Sequence, residues 1–545
     1  MTQSSEPSKG EKKQVVGIRS VGGQALIMSL GTFSSRWLGL VRESLLAYFF
    51  DRMVTDAWIT AFRVPNFFRR LLGEGSLSVS FIPVFTDLRV QAPDISSEGG
   101  PSLRVRNFIN GFYTLLLLIL STITVFGVLY PEFFIWILVD QAGFRQIPGK
   151  YELTLRLTRI MFGFVFFISS FAYFMGILNA LGKFGWAALA PLFFNIAMIV
   201  STTIPGAWFP QPGDGLAWGV LIGGGLQALV LIPQLVRMNY APQLTLKLWS
   251  PEIARVFRNM VPGLFGMSLM QVTLVVNTRF ASALGEGAIS YIYWADRLLE
   301  LPLSLISVSL GTALLPSLSS SWARGNRAEY SQTGHFYLRL NLYLSMACAI
   351  GLFILARPVI EILFQRGHFT EGDSIKASQV LWIYAFAMIP TSCVRILGPF
   401  YFAVKNTWYP ALVSALGLVL HLILAPYLMA QYGLQGLNMS TLLSAGLNFG
   451  LLLVGLPWLT THFDLKKLVI QTGKFIVCGI PLALGLQSYF FMATSADSFF
   501  YKAASLILAS LIGGGLFALA SRGLRLEEYD LTVGRLLKRV GSIPP

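Results

Sequence analysis

The sequence predicts an all-α polytopic membrane protein with about fourteen transmembrane helices, two six-helix lobes in parallel repeat plus two extra C-terminal helices. Three observations carry this. The 545 residues are 54% hydrophobic and only 12% charged, with a mean hydropathy of +0.63, unlike any soluble domain of ordinary composition. Apolar runs of about 20 residues follow one another, and no polar stretch is long enough to build a soluble domain between them. Finally, the pattern of one run recurs six runs later.

Taken in order, the head MTQSSEPSKGEKKQ is polar and charged, and residues 1–22 read as a disordered cytoplasmic tail. The first apolar segment holds Arg36 and Arg42, and no small-residue cleavage site follows a short apolar core, so a cleaved signal peptide is not expected. Six candidate spans at 28–48, 57–85, 108–129, 155–178, 187–204 and 215–235 make an N-lobe within 23–240. Six more at 256–284, 289–318, 337–364, 377–402, 410–429 and 436–458 make a C-lobe within 241–462. Two last spans at 475–489 and 503–520 fall outside the repeat, in 463–521, and 522–545 is a polar tail.

The repeat rests on residues 57–83 (AWITAFRVPNFFRRLLGEGSLSVSFIP) and 293–316 (YWADRLLELPLSLISVSLGTALLP). Each runs from aromatics and an arginine (Arg63, Arg297) through Pro65 or Pro302 and Gly75 or Gly311 to Pro83 or Pro316. A period of six spans keeps both halves in one orientation, a plan in which substrate binds between the halves.

Basic residues sort the connections. One set carries Lys9, Lys12, Lys13, Arg19, Arg89, Arg104, Arg106, Lys183, Arg237, Lys247, Arg255, Arg258, Arg324, Arg327, Lys405, Lys466, Lys467 and the arginines and lysine of the tail. The other carries chiefly Arg52, Arg145, Lys150, Arg366, Lys376 and Lys502. By the positive-inside rule both termini are cytoplasmic, and the net charge of +15 needs no nucleic acid to explain it. Cys348, Cys393 and Cys478 each sit inside an apolar run and read as packing residues, and the four histidines are scattered. No metal, haem or nucleotide site is visible, so no cofactor is expected.

Chemistry concentrates in residues 33–83, which hold Arg36, Arg42, Glu43, Asp56, Arg63, Arg69, Arg70 and Glu74. Charge at membrane depth costs at least ~2.5 kcal/mol per residue and persists facing a bundle interior or a water-filled cavity. A cluster this cationic fits the lining of a site for an anion. Arginine grips phosphate oxygens through two parallel hydrogen bonds, so Arg42, Arg69 and Arg297, from three spans, could together hold a diphosphate. Asp296 and Arg297 repeat the acid–base pairing of Arg42 and Glu43, with Glu300 one turn on. The alternatives are internal salt bridging (Arg42–Glu43, Arg297–Asp296) and snorkelling of Arg36 and Arg70 to an interface. Beside Arg69 and Arg70, the run Gly73-Glu74-Gly75 reads either as close helix packing or as a break lining the cavity.

The strings SRWLGLVRE, TDAWITAFRVPNFFRRLLGEGSLSVSFIPVF and YWADRLLELP followed by GTALLPSLS resemble the MurJ (MviN) lipid II flippases of bacterial peptidoglycan synthesis, over essentially the whole chain. The specific part is the pattern of Pro65, Asn66, Arg69, Arg70, Glu74, Gly75, Ser78, Phe81 and Pro83. The resemblance implies a place in the multidrug and polysaccharide exporter superfamily, a V-shaped pair of lobes, a cationic central cavity and a two-helix groove for a polyprenyl tail. It puts the family's essential arginines on Arg36, Arg42, Arg69 and Arg297, and its acids on Glu43 (commonly Asp in the family) and Asp56. Arg70 joins these as substrate-binding, with Asn66, Glu74, Ser78, Asp296 and Glu300 in support. Positions that hold sodium through acids in some members correspond here to Asn277 and His421, which argues against sodium coupling. The implied activity is not enzymatic. It is movement of lipid II, an undecaprenyl-diphosphate-linked disaccharide peptide, from the cytoplasmic to the outer leaflet of the inner membrane by alternating access. Membrane lipids and cell-wall synthesis proteins are the implied partners.

Three rivals stand beside this reading. An O-antigen-type flippase or a cation-coupled exporter would share the architecture, but an exporter of cationic drugs would want acids rather than arginines in its cavity. A membrane-embedded glycosyltransferase would need a catalytic acid and usually a substantial extracytoplasmic loop, and no such loop exists here.

Overall fold

The computed structural model describes residues 31, 33–70, 77–91, 100–204, 206–460, 463–493 and 498–534, the side chains of 78, 79, 262–270 and 533 excepted. Among the described residues there is no strand, and ten stretches are long and apolar enough to cross a membrane. The longest, Trp408–Trp458, contains Gly433 at φ 55° and ψ −128°, a backbone that glycine alone adopts cheaply. The chain reverses there, so this stretch supplies two of the expected spans. The described residues divide into two compact units, one ending at Val275 and the other beginning at Val276.

The first unit holds α1 (33–49), α2 (Arg52–Phe68), α3 (Leu77–Gln91), α4 (Leu103–Leu129), α5 (Pro131–Leu138), α6 (Gln141–Phe144), α7 (Lys150–Phe162), α8 (Phe164–Ala180), α9 (Gly185–Thr203), α10 (Asp214–Leu229), α11 (Ile232–Arg237) and the start of α12 (Pro251–Ser282). Asp51 caps α2, its carboxylate accepting from the Val54 amide at 2.8 Å and filling one of the donors a helix start leaves open. The expected fourth span is a bent pair, α7 and α8, joined at Gly163, where a β-carbon would meet Leu221 at 2.7 Å. Within the expected second span, 57–85, the described residues form α2 and α3, and the Gly73-Glu74-Gly75 run lies outside the described residues. The core is aromatic. Phe81 stacks on Phe108 at 5.5 Å and meets Tyr173 edge-on at 5.0 Å, while the buried Tyr173 hydroxyl donates to the Ile109 carbonyl at 2.8 Å.

The second unit continues with α13 (Ala288–Leu303), α14 (Ser309–Ala323), α15 (Arg327–Ile354), α16 (Ala356–Phe364), α17 (Glu371–Ala403), α18 (Trp408–Gly455), α19 (Leu465–Ala493), α20 (Phe499–Gly523) and α21 (Glu527–Tyr529). The sixfold period is visible in the packing within each unit. Span two packs on span four, as α2 on α7 and α3 on α8; span eight packs on span ten, as α13 and α14 on α17. Both copies also lose their regular helical turn just after the shared proline. A π-turn occupies 69–70 after Pro65 and another Ser304–Val308 after Pro302, as expected where proline removes an amide donor. Outside the repeat, α19 and α20 pack on each other so closely that a β-carbon at Gly485 would sit 2.7 Å from the Gly513 backbone, and α19 also packs on α15. Beyond α20 the chain folds back on α15: the buried Arg339 contacts Glu527 and lies 2.8 Å from Glu528, an ion pair by distance rather than by an aligned hydrogen bond.

Candidate functional site

In the first unit, α1 and α9 present Arg42. Its Nη1 donates to Asn195 Oδ1 at 3.1 Å, its Nη2 donates to Glu43 Oε1, and the guanidinium lies 5.8 Å from the Phe194 ring centre. Asn195 in turn donates from Nδ2 to the Ser35 carbonyl at 2.9 Å and to its hydroxyl at 3.1 Å. Ser35 and Arg42 are two turns apart on one face of α1, so a single amide on α9 fixes both. The Arg42 side chain keeps 11% of its surface exposed and Glu43 3%, and Arg42 Nε has no hydrogen-bond partner among the described residues. Arg36, nearer the helix start, is half-buried with Nη1 likewise without one. One of the two alternatives, an Arg42–Glu43 pair, is therefore present, and it coexists with donors still to be satisfied.

Asp56 is placed differently. It is fully buried on α2, 2.8 Å from Nζ of Lys150 at the start of α7, and neither side chain has any exposure. Phe144 closes the site with its ring centre 4.6 Å from the ammonium. The sequence put Lys150 and Arg52 among solvent-facing loop cations. Both are buried, because the loops they bound tuck back onto the helix ends; Arg52 donates to the Phe50 carbonyl at 2.8 Å.

Where α2 ends, Arg69 Nε donates to Asn66 Oδ1 at 2.7 Å, one turn back, and Arg70 is half-buried beside it. Arg63 Nη1 donates to the Leu274 carbonyl of α12 at 3.3 Å. Glu74 lies outside the described residues, as does the Ser78 side chain.

On the second unit, Arg297 of α13 meets two side chains of its own helix. Its Nη1 donates to Glu300 Oε2 at 3.3 Å, its Nη2 to the Tyr293 hydroxyl at 3.2 Å, and it lies 4.9 Å from the Tyr293 ring centre. A third of the Arg297 side chain stays exposed, and more than half of Glu300; Asp296 sits half-buried next to them. The sequence reading missed Arg395, in the middle of α17 and half-buried within the charge field of Glu300. Its signal was the one that marked Arg42: a single arginine deep in an apolar run, TSCVRILGP. It also missed Asn195, an amide with nothing in the sequence to distinguish it.

Asn277 and His421 both lie in the second unit. His421 is buried, with Nδ1 2.9 Å from the Ser440 hydroxyl, and the ring of Phe280, one turn from Asn277, is 6.0 Å away. Asn277 Oδ1 and His421 Nε2 have no hydrogen-bond partner among the described residues. No group of three or more metal-ligating side chains occurs among the described residues.

Residues 45–509 match the sequence profile of a family described as "Lipid II flippase MurJ". A Bdellovibrio bacteriovorus protein named "Probable lipid II flippase MurJ" is 49% identical over 85% of this chain and 87% of its own length. The "Lipid II flippase MurJ" of Burkholderia cenocepacia is 34% identical over 79% of this chain and 83% of its own. Among solved structures, a lipid II flippase MurJ in an inward closed conformation superposes with a TM-score of 0.75 at 23% identity, covering 92% of this chain and 99% of that one. An inward-facing multidrug resistance MATE transporter of the MOP superfamily gives 0.61 at 17% identity, over 78% and 93%. At these identities, the two structures speak for the fold.

Proposed function

The chain belongs to the MurJ lipid II flippase family, and from that premise we propose that it carries lipid II from the cytoplasmic to the outer leaflet of the inner membrane, with both termini cytoplasmic. It is a transporter and not a catalyst of a chemical step. The carrier works by alternating access, 23–240 and 241–462 acting as its lobes. Arg36, Arg42, Arg69, Arg70 and Arg297 receive the diphosphate, and Glu43, Asn66, Glu74, Ser78, Asp296 and Glu300 set their geometry. The observation that best supports this is Arg42, a guanidinium in the expected first span that is pinned by Asn195 and Glu43 yet keeps an Nε with no hydrogen-bond partner among the described residues. A charge held so firmly, with donor capacity left over, is preorganised for an incoming anion.

Potential supplies the drive. An interior-negative membrane favours outward movement of anions by ~2.3 kcal/mol per charge per 100 mV and pulls an emptied cationic carrier back. Neutral Asn277 and His421 are the reason for preferring this to sodium. The polyprenyl chain lies along α19 and α20, whose Ile480, Leu484, Ile507 and Leu511 are exposed.

The test is protection of fluorescent lipid II from an external reagent in vesicles carrying purified protein. Arg42→Ala, Arg69→Ala and Arg297→Ala should each abolish transfer while the protein still inserts. Full transfer by any one removes that residue from the proposal. Transfer that depends strictly on sodium and ignores a clamped potential would reject the drive.

A further inference from the structure

The connection between α11 and α12, residues 238–250, is neither a helix nor a solvated loop. After a left-handed turn at Asn239 (φ 59°), Tyr240 is buried and the chain runs extended along α4. There alternate amides find side-chain acceptors. Gln243 N donates to Asn110 Oδ1 at 2.9 Å and Thr245 N to Thr114 Oγ1 at 3.1 Å, both side chains of α4. Lys247 N donates to Thr245 Oγ1 at 3.2 Å and Leu248 N to the Leu246 carbonyl at 3.0 Å, while Pro242 has no amide hydrogen to place. Gly111, between the two anchoring residues, lets the strap come close, since a β-carbon there would sit 2.5 Å from the Lys247 carbonyl oxygen.

The strap's outward side chains do the opposite of what water demands. Leu246 is 98% exposed, Leu244 73% and Trp249 66%, the last stacked on Phe257. Their neighbours Arg237, Lys247, Arg255 and Arg258 are all exposed too. Depth explains the mixture. α4 is a membrane-length helix whose start is marked by Arg104 and Arg106, and Thr114 lies eight residues beyond Arg106, about 12 Å along the axis. Thr245, bonded to Thr114, is therefore carried below the level of those arginines. An extended backbone is tolerated at that depth only where its polar groups are paired, and the amides of Gln243, Thr245 and Lys247 are.

We propose that this strap is an interfacial wedge: Leu244 and Leu246 enter the acyl region of one leaflet, while Lys247, Arg237, Arg255 and Arg258 gather anionic phospholipid headgroups above them. Charge chooses the occupant, since an exposed leucine pair flanked along the chain by four exposed cations matches an anionic lipid surface, where each Lys or Arg contributes about fivefold in affinity.

The experiment places a nitrobenzoxadiazole label at Leu246→Cys in full-length protein, with the signal of protein lacking that cysteine subtracted for Cys348, Cys393 and Cys478. The protein is held in nanodiscs of phosphatidylcholine alone or mixed with phosphatidylglycerol. The wedge predicts strong quenching by a shallow spin-labelled lipid and little by aqueous iodide. Iodide quenching without lipid quenching overturns insertion. Gly111→Leu, which pushes the strap off α4, should shift quenching toward iodide. Separately, native mass spectrometry of the unlabelled protein should show phosphatidylglycerol retained over phosphatidylcholine. That preference should fall about fivefold for each of Lys247→Gln, Arg255→Gln and Arg258→Gln. Equal retention of the two lipids by wild type overturns the headgroup half of the proposal. Neither readout involves lipid II, so both can fail while the transport reading stands, and the reverse.

Discussion

Where α2 meets α7, Asp56 and Lys150 form an ion pair with no exposure on either side; on α13, Arg297 and Glu300 form one with 33% and 55% exposed. Both are acid–base pairs on helices of the expected spans, yet they suit opposite tasks. The first joins two helices and is complete, so neither charge can take a new partner without stranding the other in a dry site. The second lies within a single helix, open to water, and can exchange Glu300 for a phosphate oxygen at small cost. Arg42–Glu43, with exposures of 11% and 3% and a third contact to Asn195, falls between them: fixed in place, but not used up. Exposure of the pair therefore separates structural charge from charge available to a substrate.

The harshest way to break that comparison is Lys150→Met. It should destabilise the protein by about 3–5 kcal/mol, because Asp56 is left buried without its cation. Pairing it with Asp56→Leu should restore most of the loss, read as the midpoint of thermal unfolding in detergent. If the doubly changed protein moves lipid II normally, Asp56 belongs to the scaffold and leaves the substrate-binding set; if it is stable but inactive, Asp56 has a role beyond the pair.

Conservative changes sharpen the contrast between the two arginines. Arg42→Lys cannot reach both Glu43 and Asn195 and should lose about tenfold or more in transfer rate, a charge-assisted hydrogen bond being worth ~1.5–3 kcal/mol. Arg297→Lys, at a side chain one-third exposed to water, should fall less. Equal losses would mean that the pinning of Arg42 by α9 does not matter. Asn195→Ala asks the same question more gently. It removes two neutral hydrogen bonds to Ser35 and one contact to Arg42, so transfer should drop by about three- to tenfold with expression unchanged.

The smallest effect is expected at the tail. Arg339, by its hydrogen bond and its charge, holds the Glu527 carboxyl below its usual value. A depressed carboxylate adds stability above its unfolded pKa and loses it as pH falls through the folded one. Glu527→Gln should therefore lower the unfolding midpoint slightly at neutral pH, and the difference should vanish below the ordinary carboxylate range. Glu527 is largely exposed, so solvent screens most of the interaction.

Much of this was legible in the chain itself. Spans are long-range sums of apolar residues, and helix geometry converts them into crossings with little help from context. The repeat was readable because Pro65 and Pro302 act on their own helices, each ending regular turns locally. Partners were not readable. That Asp56 meets Lys150, or Arg42 meets Asn195, depends on how α2 lies against α7 and α1 against α9. Nothing within either segment encodes which face is turned inward. The same limit applies to Gly479 and Gly485, within the expected two-helix groove. In place, a β-carbon at Gly479 would meet Ile350 at 2.4 Å and one at Gly485 the backbone of Gly513. Bulk there would wedge α19 from α15 and α20, so a tail-binding surface is better probed at Ile480 and Leu484, which point outward.

The sealed pair between α2 and α7 also bears on how the chain is made. Asp56 leaves the ribosome 94 residues ahead of Lys150, a lag of about 5–20 s at ordinary rates of synthesis. In that interval α3 and α4 reach the membrane while the cation that Asp56 requires does not yet exist. α2 therefore cannot settle into its final seat as it emerges; it is a guest of the insertion machinery until α7 arrives. A nascent chain halted short of Lys150 presents a buried-type carboxylate to the bilayer, the kind of signal by which quality control can tell an unfinished membrane protein from a finished one.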